Sequence, residues 1–413
     1  MNPCRSSPLT VSILLLIGTL TPAFRQLGSA VEPSEKAAAA AAHALGHGAP
    51  MTYQQAKQRI PSRTLPDFWV GDVAGLGARF DQLKLGQVTT IARSPGGRPL
   101  YLVSYGHREE VAHHANFNSA VAGHDPSAYM DKKFRRKPVL FFIGPVHGHE
   151  VEGLTGLVNL IQVMETGRDL RGQEKKALRE LGKQCRLLIL PSGNPDGTAR
   201  FEPRALHGMS LDDVYFWGQG TWSDGTIAIW PYSKRLHPFH GPRVQFMGCY
   251  FDDAGVNPMQ DEFFAPLGPE APAILRVAQQ EGPDWAVSLH SNGGAPQLLR
   301  TAYVPLEVQE QVRLLAESTN QLLEKRGLPH KSAPKVEPDS GAVPPTFNLT
   351  SAVYHVSGAV AFTFEGPHGL AEKNYCQASF DQILDMQLTL YEAMFRFAVV
   401  GAEISDISPE NDP

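Results

Sequence analysis

The densest concentration of reactive side chains is His147-Gly148-His149-Glu150-Val151-Glu152, two imidazoles and two carboxylates within six residues. Neutral imidazole and carboxylate are standard zinc ligands, and a catalytic zinc takes three protein ligands and leaves a fourth position open. Two overlapping His-x-x-Glu readings exist, His147 with Glu150 and His149 with Glu152. The thermolysin-type HExxH pattern is absent, because Gly153 stands where its second histidine belongs. No GxSxG elbow or GxxxxGK phosphate loop occurs. Three other segments set polar groups just after apolar runs. They are Pro191-Ser192-Gly193-Asn194-Pro195-Asp196-Gly197, His290-Ser291-Asn292 and Glu365-Gly366-Pro367-His368-Gly369. Each has a plain reading alone: a turn, a hydrogen-bonded structural histidine, a strand reaching water. Together they point to a metal site.

Such groups must be carried by elements that bring them together. Four apolar runs, 138–144 (PVLFFIG), 186–190 (RLLIL), 285–289 (WAVSL) and 360–364 (VAFTF), predict strands covered on both faces. Helical spacing recurs over 154–164, with Gly167 as a stop, and over 306–326 and 380–399. A turn at Ser94-Pro95-Gly96-Gly97 joins two short strands at 87–92 and 99–104 into a hairpin. The alternation predicts an α/β fold: a single large domain with a mixed, mostly parallel twisted sheet flanked by helices. In such sheets ligands bind beyond the carboxyl ends of the strands, where the polar segments lie. Residues 200–270, rich in Gly, Pro and aromatics, predict a long functional loop region.

In order, His147-x-x-Glu150, Asn194-Pro195-Asp196-Gly197, Leu289-His290-Ser291 and Phe362-Thr363-Phe364-Glu365 resemble the zinc carboxypeptidase family typified by carboxypeptidase A. The hairpin with Gly97-Arg98-Pro99-Leu100 is similar to that family's opening hairpin, and the resemblance covers roughly residues 67–400. It implies that His147, Glu150 and His290 bind one zinc ion per chain. Glu365 would be the general base that passes a proton from the attacking water to the leaving amine. Arg204 would stabilise the oxyanion, with Arg200 as competitor. Asn194, Asp196 and Gln260 would contact substrate. His149 and Glu152 would support the ligands from behind.

The resemblance breaks at the carboxylate clamp. The family's Asn-Arg pair aligns with Met259 and Gln260 in Gly255-Val256-Asn257-Pro258-Met259-Gln260. Glutamine cannot form a charge-assisted bidentate pair with a carboxylate. Arg235, Arg243 and Arg300 are the alternatives for an anion site. The family's tyrosine upstream of the base is not at its usual distance; the nearest, Tyr354, is only eleven residues before Glu365. The resemblance therefore implies a peptide or small-amide hydrolase. A zinc deacylase of the aspartoacylase and succinylglutamate desuccinylase type is the alternative. A non-catalytic binding module on the same scaffold would have lost a ligand or the base, and neither is lost.

The chain has 413 residues, 37 Lys plus Arg against 42 Asp plus Glu, and a net charge of −5. This balance argues against nucleic acid as partner, and 42% apolar residues argue against whole-chain disorder. Residues 11–20 form a short apolar run after Arg5, followed by Gly28-Ser29-Ala30. They predict a signal peptide over 1–30, hence a secreted or periplasmic protein without stable membrane insertion; an uncleaved anchor is the alternative. Residues 31–66, with alanines 37–42 unbroken, predict a spacer, 67–405 the catalytic domain and 406–413 a polar tail. Past the signal, Cys185, Cys249 and Cys376 permit one disulfide, and Asn348-Leu349-Thr350 is a glycosylation sequon.

Overall fold

The computed structural model describes residues 50–400 apart from 110–115, 126–128, 130–131, 133–134, 230–231 and 340–344. The expected signal peptide, most of the spacer and the polar tail lie outside the described residues.

In chain order the elements are α1 (Tyr53–Gln58), α2 (Leu76–Phe80), β1 (Gln87–Arg93), β2 (Pro99–Tyr105), α3 (Phe117–Ala122), β3 (Val139–Ile143), α4 (Val151–Thr166), α5 (Lys176–Lys183) and β4 (Arg186–Leu190). They continue with α6 (Pro195–Arg200), α7 (Leu211–Gln219), β5 (Gly220–Trp222), β6 (Val244–Met247), α8 (Glu270–Glu281) and β7 (Trp285–Asn292). The last are β8 (Gln297–Arg300), α9 (Leu306–Lys325), α10 (Leu349–Ser357), β9 (Val360–Pro367) and α11 (Phe380–Val400).

Seven strands form one sheet in the order β1-β2-β4-β3-β7-β9-β8. The four central strands run parallel, as their continuous apolar text predicts. The hairpin β1–β2 and the edge strand β8 are antiparallel to their neighbours, so half of the pairings are parallel. "Mostly parallel" therefore holds for the centre only.

Alternation along the strands divides the core in two. Leu140, Phe142, Leu187, Ile189, Val287, Leu289, Phe362 and Phe364 pack with α4, α9 and α11. Phe141, Ile143, Leu188, Leu190, Ala286 and Ala361 pack with α8 and α10 on the opposite face. Helix α4 stops at Gly167, which takes a left-handed φ of 78° at its C-cap, as the sequence suggests.

The segment expected as a spacer is packed over residues 51–66. Met51 and Ala56 are buried in the larger core, and Thr52 closes a capping box on α1. Tyr53 stacks on Phe246, Arg59 holds Asp213, and Arg63 donates to the carbonyls of Ala205 and His207. Alanine-rich text upstream hides this docking, because its anchors are single side chains without periodicity. Cys185, Cys249 and Cys376 are all unpaired. The sequon asparagine, Asn348, caps α10 by accepting from Ser351 N.

Candidate metal centre

β3 and β7 are parallel neighbours with Ile143 level with Ser288. The chain leaving β3 therefore passes directly beside His290. Gly148 makes the turn possible: a Cβ there would lie 2.1 Å from Thr198 N. Its own N–H donates to Cys249 O at 2.7 Å. Glu150 then begins α4 as its N-cap.

The result is a buried triangle of donor atoms. His147 Nδ1 is 3.0 Å from Glu150 Oε1, His290 Nδ1 is 2.8 Å from Glu150 Oε2, and the two Nδ1 atoms are 3.2 Å apart. Three corners of a tetrahedron around an ion with bonds of about 2.0–2.1 Å would be about 3.3 Å apart. The electrostatics ask for the same guest. Burial pushes the pKa of His147 and of His290 down, so both are neutral with lone pairs available. Burial pushes the pKa of Glu150 well up, the mark of a carboxylate taken out of water without adequate countercharge. A divalent cation fits this donor set. His290 Nε2 lies 3.0 Å from Ser288 Oγ, which can accept a hydrogen bond from Nε2–H and leave Nδ1 for the ion. The ring of His147 is stacked on Tyr250, with centroids 3.7 Å apart and planes within 8°.

Glu365 sits opposite His290 in the β7–β9 register and is not one of the three converging donors. Its carboxyl is pushed up to about 7, first by burial and then by the charge of Glu150, while His290 acts in the opposite sense. Asn292 donates to Glu365 Oε2 at 3.4 Å. Behind the triangle, Glu152 accepts from or shares a proton with His368 at 3.0 Å, both fully buried. His149 Nε2 approaches Glu150 Oε1 at 3.9 Å.

The remaining expected contacts are engaged with other partners of the protein. The guanidinium of Arg204 pairs with Asp72 at 3.2 Å, and its carbonyl accepts from Trp69 Nε1, so it anchors residues 69–72. Arg200 is held by the carbonyls of Gly248 and Phe251 and by Asp253. Asn194 is a clasp, with Nδ2 near the carbonyls of Val146, Cys249 and Tyr250 and Oδ1 accepting from Gly197 N. Asp196 is buried under the hairpin, where Ser94, Gly96 N, Arg98 and Asp253 N all donate to it. Gln260 accepts from Asn257 Nδ2 at 2.9 Å, Met259 is buried, and Arg300 is paired with Asp339. Tyr354 packs against Tyr129 instead of approaching the base.

Two residues of the loop region were not visible from spacing. Lys234 lies close enough for its charge to act on Glu150, His147 and His290, and burial draws its pKa down to about 8. Tyr250 lies within electrostatic reach of Glu150 and Glu365, and burial pushes its pKa well up. Beneath the same loop, Asp252 and Glu270 are fully buried together, and burial with mutual repulsion pushes Glu270 up to about 9.

The zinc carboxypeptidase family model matches residues 81–221, a stretch that contains His147, Glu150 and the Asn194 turn. Over that stretch, about a third of its length, the chain is similar to the zinc carboxypeptidases. The family uses zinc, and the triangle is where this chain can hold it. No curated protein matches the chain. Among solved structures, a metallo-carboxypeptidase from Burkholderia cenocepacia is similar at 15% identity and a TM-score of 0.47, covering 78% of this chain and 66% of that one. A carboxypeptidase A from Helicoverpa armigera is similar at 13% identity and a TM-score of 0.46, covering 85% and 80%. A metallo-carboxypeptidase from Pseudomonas aeruginosa is similar at 16% and 0.42, covering 80% and 68%. The match to the Burkholderia protein thus leaves about a third of that chain without a counterpart. Among the described residues no helix is long and apolar enough to cross a membrane.

Proposed function

We propose that this protein is a zinc-dependent hydrolase of amide bonds, a peptide bond first among them. His147, Glu150 and His290 hold one zinc ion, and Glu365 is the general base. The observation that carries this reading is the convergence of His147 Nδ1, His290 Nδ1 and the Glu150 carboxylate, with Glu365 one strand away. Zinc, when bound, supplies a Lewis acid that polarises a carbonyl and lowers the pKa of water from 15.7 toward ~7.

The chain's own residues do the rest. Glu365 takes a proton from the attacking water and delivers it to the leaving amine. Burial raises the pKa of this carboxyl, which makes it a better proton acceptor than an exposed glutamate. Asn292 orients that carboxylate. Lys234 supplies positive charge against the developing oxyanion, the role that Arg204 cannot fill while it is paired with Asp72. Glu152 and His368 fix the floor beneath His149 and Glu150.

The absence of an arginine at 259–260 argues against strict dependence on a free C-terminus. The apolar run at 11–20 supports a secreted or periplasmic location, and the packed domain begins no later than Met51. The test combines metal analysis with a substrate panel of peptides, N-acyl amino acids and muropeptides. Purified protein should carry about one zinc, lose hydrolysis on chelation and regain it on zinc addition. Hydrolysis that survives complete chelation would sink the proposal, and hydrolysis of N-acyl amino acids alone would move the protein to the deacylases.

A further inference from the structure

Beside Glu365 the molecule opens into a cavity of about 800 Å³. Asn292 belongs to both places: its amide donates to Glu365, and its side chain helps line the cavity. The walls are tied to the turn that follows β7. Asn292 Oδ1 accepts from Gly294 N at 2.6 Å, Cys376 N donates to Gly293 O at 2.8 Å, and Lys331 N donates to Pro296 O at 3.0 Å. The turn packs closely on both walls. A Cβ on Gly293 would lie 2.5 Å from the Tyr375 ring, and one on Gly294 would lie 2.8 Å from Lys331 Nζ.

The described lining contains one charged side chain, Lys331, and no carboxylate. Lys331 makes no ion pair among the described residues. The same carbon built on Gly294 lies 3.1 Å from Asn292 Oδ1, so the ammonium stands within about 6 Å of that amide. Through Asn292 it is within about 12 Å of Glu365. At about 3.3–3.6 Å per extended residue, this distance spans no more than about three residues of a peptide.

We propose that this cavity receives an anionic part of the substrate, a carboxylate up to about three residues from the scissile amide, and that Lys331 reads its charge. The proposal rests on the hydrolase reading and gives it a substrate class. It also offers an anion site in a place unrelated to Met259 and Gln260. The carboxylate has two possible sources, an acidic side chain or the peptide's own terminus.

The test uses one peptide in a series. Glu replaces Gln in turn at three positions on each side of the cleaved bond, each with a free or amidated C-terminus. The readout is the ratio of kcat/KM for the carboxylate peptide to that for its neutral twin. Wild type should show a ratio of about 10 at one position or at the free terminus, the lower end for a charge-assisted contact. The ratio should fall toward 1 in Lys331→Gln, drop below 1 in Lys331→Glu, and shrink in wild type as salt rises. Preference that follows Glu whether or not the terminus is amidated assigns a side chain; preference abolished by amidation alone assigns the terminus. A ratio near 1 in wild type, or one unchanged in Lys331→Gln, overturns the proposal. The same peptides, labelled, are also titrated by anisotropy against zinc-loaded Glu365→Gln protein with and without Lys331→Gln. Carboxylate-selective binding lost with Lys331 upholds the cavity even if no peptide is cleaved, in which case the hydrolase reading alone fails.

Discussion

On one side of the cleft the polar groups grow out of the sheet, and on the other they come from the loop between residues 200 and 270. The sheet side is built from strand ends: His290 and Glu365 lie in register on β7 and β9, and His147 leaves the neighbouring β3. Ligand atoms there must meet within a fraction of an ångström, so their order and spacing are constrained. The loop side contributes Lys234, Tyr250 and Asn257, whose side chain hydrogen-bonds His147, from segments with little regular structure. A countercharge acts over several ångströms in a low-dielectric site. It can therefore be supplied from almost any nearby loop position. Coordination thus demands exact placement of each donor atom, whereas a countercharge tolerates several positions.

The harshest way to break the comparison is to remove a ligand. His290→Ala should empty the site and lower turnover by at least ~1,000-fold, read by metal analysis and kinetics. Zinc retained at full stoichiometry in both His290→Ala and His147→Ala would end the assignment. Next comes the base. Glu365→Gln should keep zinc bound while kcat falls at least ~100-fold; loss of metal would reassign Glu365 as a ligand.

A subtler pair sharpens the contrast between the two sides. Lys234→Ala should lower kcat/KM by about 10-fold to 100-fold with zinc retained. Arg204→Ala should leave kcat/KM within about 2-fold and cost at most ~1 kcal/mol of stability, as expected for a partly exposed ion pair. The opposite order of effects would return the oxyanion role to Arg204.

The smallest effect concerns the carboxyl pair under the loop. Glu270 has its ordinary value near 4.5 when unfolded and about 9 in the fold. The folded state favours its protonated form, so its stabilising contribution is full below about pH 4.5 and is lost as pH rises through about 9. Glu270→Gln stays neutral, and the fall in Tm between pH 7 and 9.5 should shrink by about 3 °C or more. Parallel Tm curves for the two proteins would show that the pair carries no such charge.

The central strands and the long helices were legible because burial on two faces writes continuous apolar runs and helical spacing into the text. The candidate ligands were legible for a related reason: His290 follows such a run directly, and His147 and Glu150 lie three and six residues past another. The partners of Arg204 were not legible, because distance along the chain after Gly197 says nothing about which way a loop residue faces. Its left-handed φ of 59° and its bond to Trp69 belong to a packing arrangement that spacing does not encode. Lys234 was missed for the converse reason, since a lone lysine in a Pro- and aromatic-rich loop reads as solvent-facing. Asn194 and Asp196 were noticed as residues but not as clasps, because their partners come from segments distant in the sequence.

His147 and His290 are separated by 143 positions in the chain yet meet at 3.2 Å. A metal held between them acts as a staple across that loop. The unfolded chain offers only the neighbouring groups of residues 147–152 and lacks His290 beside them, so ligation favours the folded state and its free energy adds to folding stability. The melting temperature should therefore climb with free zinc concentration, and a chelator should act as a denaturant of the whole domain. Such a protein would also report on its surroundings, because its persistence would depend on how much zinc the compartment supplies.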